Sequence, residues 1–550
     1  MDFKDLILKH ALQNAVKYNG KASIGAVIGK VLQEKPELKS KIGEISKQIN
    51  VIVNGINKLT VKEQEEKLKS MAPELLEKKH EEKKELLPEL SNVKGKPVLR
   101  LAPYPSGPLH IGNAYPYIVN DYYAKRYKGN LLLVIDDTIG SKEKDISKDA
   151  YKLIPEGLKW LGIKFSKIYY KSDRLSIYYK YAEELIKKDK AYVCFCSQEE
   201  LRENRLKSLE CSHRNVSAKE NLASWKKMFK MKEGQAVLRI KTDMQHNNPA
   251  FRDRVIFRIS ERSHPRTKKK YKIWPLLDFS WAIDDYLFKI THIIRGKDLM
   301  MESEMERYIW DIFNWKHAEI IHTGFLSVEN VKISKSKAKQ EVASGKYFGW
   351  DDPRTWSLQS LKRRGIRPEA IRNFCLNFGL TNKEVTVPID VLYTENRKLI
   401  EEESNRYFIL FNAKKIKIKD AKKLKAKLPL HPDYPKKGFR LLETSDEFYI
   451  QDELEKSKIY RFMHLFNFKD NKFLSEGYDT HLNSKQIHWL PAKGNLNVEV
   501  LMPDGKILKG IGEKTLMKVK IGSMIQAERF AYLRLDKKSK NKLVFWYCHK

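Results

Sequence analysis

Two strand-length apolar runs, Pro97–Ala102 and Leu131–Ile135, bracket a Pro/Gly-rich turn and a helix-length segment from Ala114 to Arg126. The second run shows no polar alternation, as a strand buried on both faces requires. Such strands belong to parallel sheets covered by helices. Helical patterns at Ser147–Leu161 and Ile177–Lys188 continue the alternation. Residues 95–190 therefore read as the first half of a doubly wound, Rossmann-like α/β layer. A ligand in such a sheet sits beyond the carboxyl ends of the strands. The turn Pro105-Ser106-Gly107-Pro108-Leu109-His110-Ile111-Gly112-Asn113 places backbone N–H groups and the His110 imidazole at a helix N-terminus. A polyphosphate anion is best held there. Gly112 leaves room for close approach of a ligand.

With 550 residues the chain is too long for one core, and roughly three to five domains are expected. Residues 1–94 carry helical periodicity (Leu6, Ile7, Ala11, Leu12, Ala15, Val16), and Lys62–Lys84 reads as an exposed helix. The turn-rich Ser91–Lys96 marks a boundary. Residues 191–275 look like an insertion, and the α/β pattern resumes over 276–335. A helical stretch is expected over 336–412, and the chain then turns β-rich over 413–550. Val498–Met502 followed by Pro503-Asp504-Gly505 reads as a strand entering a hairpin turn, and Val544–Tyr547 as a closing strand. One or two β-barrels are the natural closure for such short strands. The lysine-rich tract Lys414–Lys427 reads either as a solvated edge strand or as a nucleic-acid contact.

Lys and Arg total 106 against 70 Asp and Glu, a formal charge of +36. That excess favours a polyanionic partner, because cationic surfaces release counterions from nucleic acid. Five cysteines over this length argue against a disulfide scaffold and for a reducing compartment. Cys194-x-Cys196 and Cys211-x-His213 together offer three thiolates and one imidazole, a donor set that suits tetrahedral zinc. The alternative is buried free cysteines with a surface His213. Cys375 and Cys548 read as core residues. Met1-Asp2-Phe3-Lys4-Asp5 is charged, so no signal peptide is expected. The apolar runs are too short to span a bilayer, so no membrane contact and a cytoplasmic location are expected.

The segment His110–Asn113 and the basic segment Lys332-Ile333-Ser334-Lys335-Ser336 together resemble the two signatures of class I aminoacyl-tRNA synthetases. Further motifs narrow the resemblance to glutamyl-tRNA synthetases. They are Arg100-Leu101-Ala102-Pro103, Asp136-Asp137-Thr138, Thr291-His292-Ile293-Ile294-Arg295-Gly296-Lys297 and Gly349-Trp350-Asp351-Asp352-Pro353-Arg354. Arg363-Arg364-Gly365-Ile366-Arg367-Pro368, His431-Pro432-Asp433-Tyr434-Pro435, Ile487-His488-Trp489 and Glu528-Arg529-Phe530 are similar to the archaeal/eukaryotic branch. The resemblance covers residues 95–550. The helical N-terminal extension resembles that of archaeal members through less specific motifs.

The resemblance implies a catalytic domain with an acceptor-binding insertion, a helical stem-contact region and anticodon-binding barrels. It implies activation of L-glutamate by ATP with Mg2+, then transfer to the terminal adenosine of tRNA-Glu, with tRNA-Gln left open as a second acceptor. A monomer is expected. Arg295 matches the arginine that pairs with the substrate side-chain carboxylate, and a guanidinium fork suits a carboxylate bidentately. Arg100 matches an arginine of the same pocket, and Asp136 the residue that holds the substrate amino group. His110, Gly112, Asn113, Lys332, Ser334 and Lys335 match the ATP-binding positions. Lys335 is a mobile charge suited to leaving pyrophosphate. Similar Cys-x-Cys…Cys-x-His sets occur in zinc-binding members.

Three departures stand out. Asn113 replaces the second histidine of the first signature, Val134 replaces a frequent arginine, and Leu277 stands where many members have a tyrosine. Rival readings are a glutaminyl-tRNA synthetase and a tRNA-binding paralogue with weak or no catalysis. Trp489, Arg529 and Phe530 are candidates for stacking on anticodon bases, although each also fits core or edge packing.

Overall fold

The structure, a computed structural model, describes residues 3–17, 20–35, 37, 42–72, 75, 86–140, 145–329 and 335–550. The chain divides into two compact units, 1–86 and 87–550. The first is a helical cluster of α1 (Phe3–Lys17), α2 (Ile24–Glu34), α3 (Ile42–Ile56) and α4 (Val61–Met71). Leu6, Ile7, Ala11, Val27, Ile49 and Val53 form its buried centre. The apolar spacing that predicts α1 is therefore the face it buries. Thr60 starts α4 with a capping box closed by Glu63, and the buried Gln64 amide donates to the carbonyls of Gly20 and Ile56. These bonds satisfy carbonyls that the helix ends leave without partners.

The second unit opens with β1 (Val98–Leu101), α5 (Ile111–Arg126), β2 (Asn130–Ile135), α6 (Ala150–Trp160), β3 (Ile168–Tyr170) and α7 (Leu175–Lys187). β1, β2 and β3 pair in parallel. Leu131, Leu132, Leu133, Val134 and Ile135 are all buried, which explains why that run lacks alternation.

An insertion follows: β4 (Ala191–Cys194), α8 (Gln198–Lys207), α9 (Ala218–Met228), β5 (Val237–Ile240), β6 (Val255–Ile259) and β7 (Ile273–Pro275). Its four strands form one antiparallel sheet in sequence order. Buried His264 ties the insertion back to the sheet, its Nε2 lying 2.8 Å from the Asp137 carbonyl. The catalytic layer resumes with α10 (Leu277–Leu287), β8 (His292–Gly296), α11 (Met300–Ile312) and β9 (Glu319–Thr323). The Thr291 N–H donates to the Val98 carbonyl at 2.9 Å, which sets β8 beside β1. β8 pairs in parallel with β9, a two-stranded sheet beside the three-stranded β1-β2-β3.

The region expected to be wholly helical contains more than helices. α12 (Lys335–Ala343), α13 (Leu358–Arg364), α14 (Pro368–Leu376) and α15 (Ile389–Ile400) are present. Two parallel strands, β10 (Leu326–Val328) and β11 (Val385–Val387), tie the stretch to the catalytic layer. The strand-rich part also begins at Asn405 rather than 413. Asn405–Tyr407 pairs with Met524–Ala527, and Ile409–Phe411 with Ile507–Gly512. These two short strands are the opposite edges of one seven-stranded sheet. Only Phe408 separates them, so the chain itself nearly closes the sheet, which removes its open edges.

The strand Leu496–Leu501 turns through Gly505 (φ 87°) into Ile507–Gly512, as the Pro-Asp-Gly sequence predicts. A second group of strands encloses Phe448, Phe462, Phe466, Phe468 and Trp489. Among the described residues no helix is long and apolar enough to cross a membrane.

Candidate active site

A cleft of about 930 Å³ opens beyond the carboxyl ends of β1 and β2, lined there by Ala102, Pro103, Asp136 and Thr138. Strand ends expose backbone and polar side chains that the buried strands cannot carry, so the chemistry collects there. Asn113 from α5 lines the cleft, and so do Ser336, Lys339 and Gln340 from α12. Two sequence segments far apart in the chain thus frame one cavity. Lys335 is the first residue of α12; its side chain, Lys332 and Ser334 lie outside the described residues.

His110 is the N-cap of α5, in extended backbone, and its carbonyl accepts from the amides of Asn113 and Ala114. A Cβ on Gly112 would stand 3.2 Å from the His110 ring and 3.5 Å from the Leu326 carbonyl oxygen. Glycine is what lets that imidazole lie against the first turn. Leu109 is held from the other side by the Leu358 amide, which donates to its carbonyl at 2.9 Å.

Charge is buried beside Trp281 and Asp136, which line the cleft. Arg100 gives Asp285 two parallel hydrogen bonds, Nε to Oδ1 at 2.6 Å and Nη2 to Oδ2 at 2.8 Å. Arg295 donates through Nη1 to Glu306 at 2.7 Å and through Nη2 to the Ser303 hydroxyl at 2.6 Å. His322 Nε2 lies 2.8 Å from the same hydroxyl. Lys171, fully buried, sits 3.3 Å from Asp136 and donates to Ser280 at 2.7 Å. Burial pushes the Lys171 ammonium below its usual range, against the pull of Asp136. Burial likewise raises the Glu306 carboxyl, with Arg295 opposing.

The expected pocket residues Arg100, Asp136 and Arg295 therefore come together, each with a buried partner of opposite charge. Sequence reasoning missed Lys171, Trp281 and Glu306. Lys171 directly follows β3, at the carboxyl-end position that the sheet rule marks. Glu306 carried no local signal, because a long-range pairing selects it. Of the departures, Leu277 lines the cleft, whereas Val134 is buried in the core.

The cysteine cluster forms at the end of β4. Cys194 Sγ lies 3.7 Å from Cys211 Sγ and 3.9 Å from His213 Nδ1, and Cys196 Sγ lies 3.6 Å from the same nitrogen. A tetrahedron with Zn–S bonds of ~2.3 Å has edges of about 3.8 Å, so these spacings fit a metal. A hydrogen bond from Cys194 pushes the Cys211 thiol down to about 4, while Cys194 moves up.

The tail candidates separate. Trp489 is fully buried with its indole N–H on the Met463 carbonyl, so it is core. Phe530 packs against the barrel core, and Arg529 is exposed with Nη1 on the Gln486 carbonyl. Cys375 and Cys548 are core residues. Lys415 and Lys417 pair with Glu447 and Asp446, and Lys425 with Glu443, on the solvent side of their strands.

A nucleotide-sized cleft at a strand-to-helix turn, in a chain that continues into strand-rich C-terminal domains, is the architecture of a class I synthetase. The family model described as tRNA synthetases class I (E and Q), catalytic domain, matches residues 96–402. Two anticodon-binding domain models of the same class match residues 404–484 and 486–536. The chain belongs to the class I tRNA synthetases of the E and Q family.

Among its relatives, the glutamate–tRNA ligase of Methanocaldococcus jannaschii is 41% identical over 558 residues, covering 100% of both chains. That of Pyrococcus furiosus is 43% identical over 576 residues, again with 100% of both covered. That of Methanothermobacter thermautotrophicus is 39% identical over 555 residues, covering 100% of this chain and 99% of its own.

Proposed function

We propose that this chain is a cytoplasmic glutamate–tRNA ligase that activates L-glutamate with ATP and Mg2+ and transfers it to the 3′ end of tRNA-Glu. The observation that carries the reading is end-to-end similarity, near 40% identity, to ligases of that name. In the first step a glutamate α-carboxylate oxygen attacks the α-phosphorus, and pyrophosphate leaves. In the second the terminal ribose hydroxyl of tRNA attacks the acyl carbon, and AMP leaves. Charge grows on phosphate oxygens, so positioned donors serve better than a nucleophile.

His110, Gly112 and Asn113 form the α5 terminus that receives the phosphates. Lys332 and Ser334 bind ATP, and Lys335 meets the leaving pyrophosphate. Magnesium would be held mainly by the ATP phosphates and would neutralise their charge. Arg295 and Arg100 take the side-chain carboxylate, and Asp136 the ammonium group. Asn113 serves as a neutral donor where a charged histidine is usual.

Pyrophosphate exchange with purified tRNA tests the reading: glutamate supports it and glutamine does not. Exchange that is faster with glutamine refutes the substrate assignment, and no exchange with either refutes the enzyme. Charging of purified tRNA-Glu and tRNA-Gln decides whether a second acceptor is used.

Cys194, Cys196, Cys211 and His213 hold a structural zinc in this reading, supported by their mutual spacing within 4.8 Å. Elemental analysis of the purified protein returns one zinc per chain, and Cys211→Ser lowers that content. Metal-free wild-type protein removes the assignment.

A further inference from the structure

Trp281 is a large side chain lining the cleft, one helical turn beyond Leu277, which also lines it. Its exposure is 6%. Three cations lie against the same ring: the Arg100 guanidinium carbon at 4.9 Å from its centroid, Lys171 Nζ at 5.0 Å and the Arg295 guanidinium carbon at 5.1 Å. Each is also neutralised by a buried acid: Arg100 by Asp285, Arg295 by Glu306 and Lys171 by Asp136. The indole N–H has no acceptor among the described residues. The neighbours therefore use the ring face, not the N–H. A desolvated aromatic face attracts a cation electrostatically, and an aliphatic side chain of similar bulk does not.

We propose that Trp281 is a positioning residue for amino-acid selection, whose ring holds the Arg100 and Arg295 guanidinium groups where a substrate carboxylate meets them. The inference rests on the roles proposed above for these two arginines. Internal acids already neutralise both guanidinium groups, so an arriving carboxylate meets no uncompensated cation. Recognition then depends on where the remaining N–H donors point, and that is what the ring controls. The three cations also repel one another, and the shared ring face offsets part of that repulsion.

The test is glutamate-dependent exchange in the presence of tRNA for Trp281→Leu and Trp281→Phe. Trp281→Leu raises the KM for glutamate about tenfold or more, the scale of a desolvated cation–π contact of ~1.4 kcal/mol or above. Its KM for ATP stays within about twofold, and its preference for glutamate over glutamine narrows. Trp281→Phe keeps a ring face and stays within about threefold of wild type. A general packing role would instead move both KM values and the melting temperature together.

Should Trp281→Leu not fold, site-specific replacement by mono-, di- and trifluorinated tryptophans keeps the shape while weakening the face. The glutamate KM then climbs with each fluorine. A glutamate KM unmoved by Trp281→Leu, an equal loss in Trp281→Phe, or a flat fluorination series overturns the proposal. Wild-type protein that activates no glutamate breaks the proposed activity itself and is thereby told apart from failure at Trp281.

Discussion

The region behind the cleft and the C-terminal strands both bury charge, but they arrange it differently. Behind the cleft, Arg100–Asp285 and Arg295–Glu306 are ion pairs with every member at most 5% exposed. In the strands around Phe448 and Trp489 the core is largely aromatic, and Lys415 and Lys425 pair with acids in solvent. Taking two charges out of water costs several kcal/mol each, and their attraction repays this only with good geometry. A hydrophobic core does not need them. The C-terminal strands bury such a pair too, Arg440–Glu513 with side chains 3% and 0% exposed, so what sets the cleft region apart is the gathering of Arg100, Lys171 and Arg295 on the one ring of Trp281.

The largest break in this contrast comes from Asp285→Ala. It strands Arg100 in the interior and destabilises the protein by about 3–5 kcal/mol, the cost of breaking a buried pair. Denaturant unfolding measures this, and glutamate activation is lost with it. An unchanged unfolding midpoint would mean that the pair carries little energy.

Next is His488, a buried imidazole of the C-terminal strands. It is 3% exposed and packs 5.1 Å from Phe408, and burial with the nearby Arg529 holds its pKa down to about 4. The unfolded chain binds this proton near pH 6.5 and the folded barrel does not. Stability that is full above that pH is lost as pH falls toward 4, by about 3 kcal/mol in all. Unfolding midpoints at pH 7 and 4.5 converge for His488→Gln and diverge for wild type; equal pH slopes in the two proteins would count against the buried, neutral ring.

The smallest effect belongs to Lys425, 3.6 Å from Glu443 with both side chains largely in solvent. Lys425→Ala leaves the unfolding midpoint where it is. If this change also weakens tRNA binding, the tract is a nucleic-acid contact rather than only a solvated edge.

Much of the catalytic layer was legible in the chain because its signals are local. Pro97–Ala102 and Leu131–Ile135 are strands because unbroken apolar runs must be buried on both faces. His110–Asn113 reads as a helix start because a Pro/Gly turn breaks the preceding strand and a helix-length segment follows. The helical reading of 336–412 failed at Val385–Val387 and Asn405–Tyr407. Three-residue strands carry almost no periodicity, and pairing with distant partners selects them.

What the sequence by itself determined is the alternation of strand and helix, the place of the Pro/Gly turn that starts α5 and the set of thiolates and imidazole. All depend on neighbours within a few residues. Only the tertiary structure decided that Arg295 is held by Glu306, that Trp281 carries three cations on its ring, and that Trp489 is core rather than surface. Burial and charge pairing are properties of residues brought together across the chain, and no spacing along it encodes them.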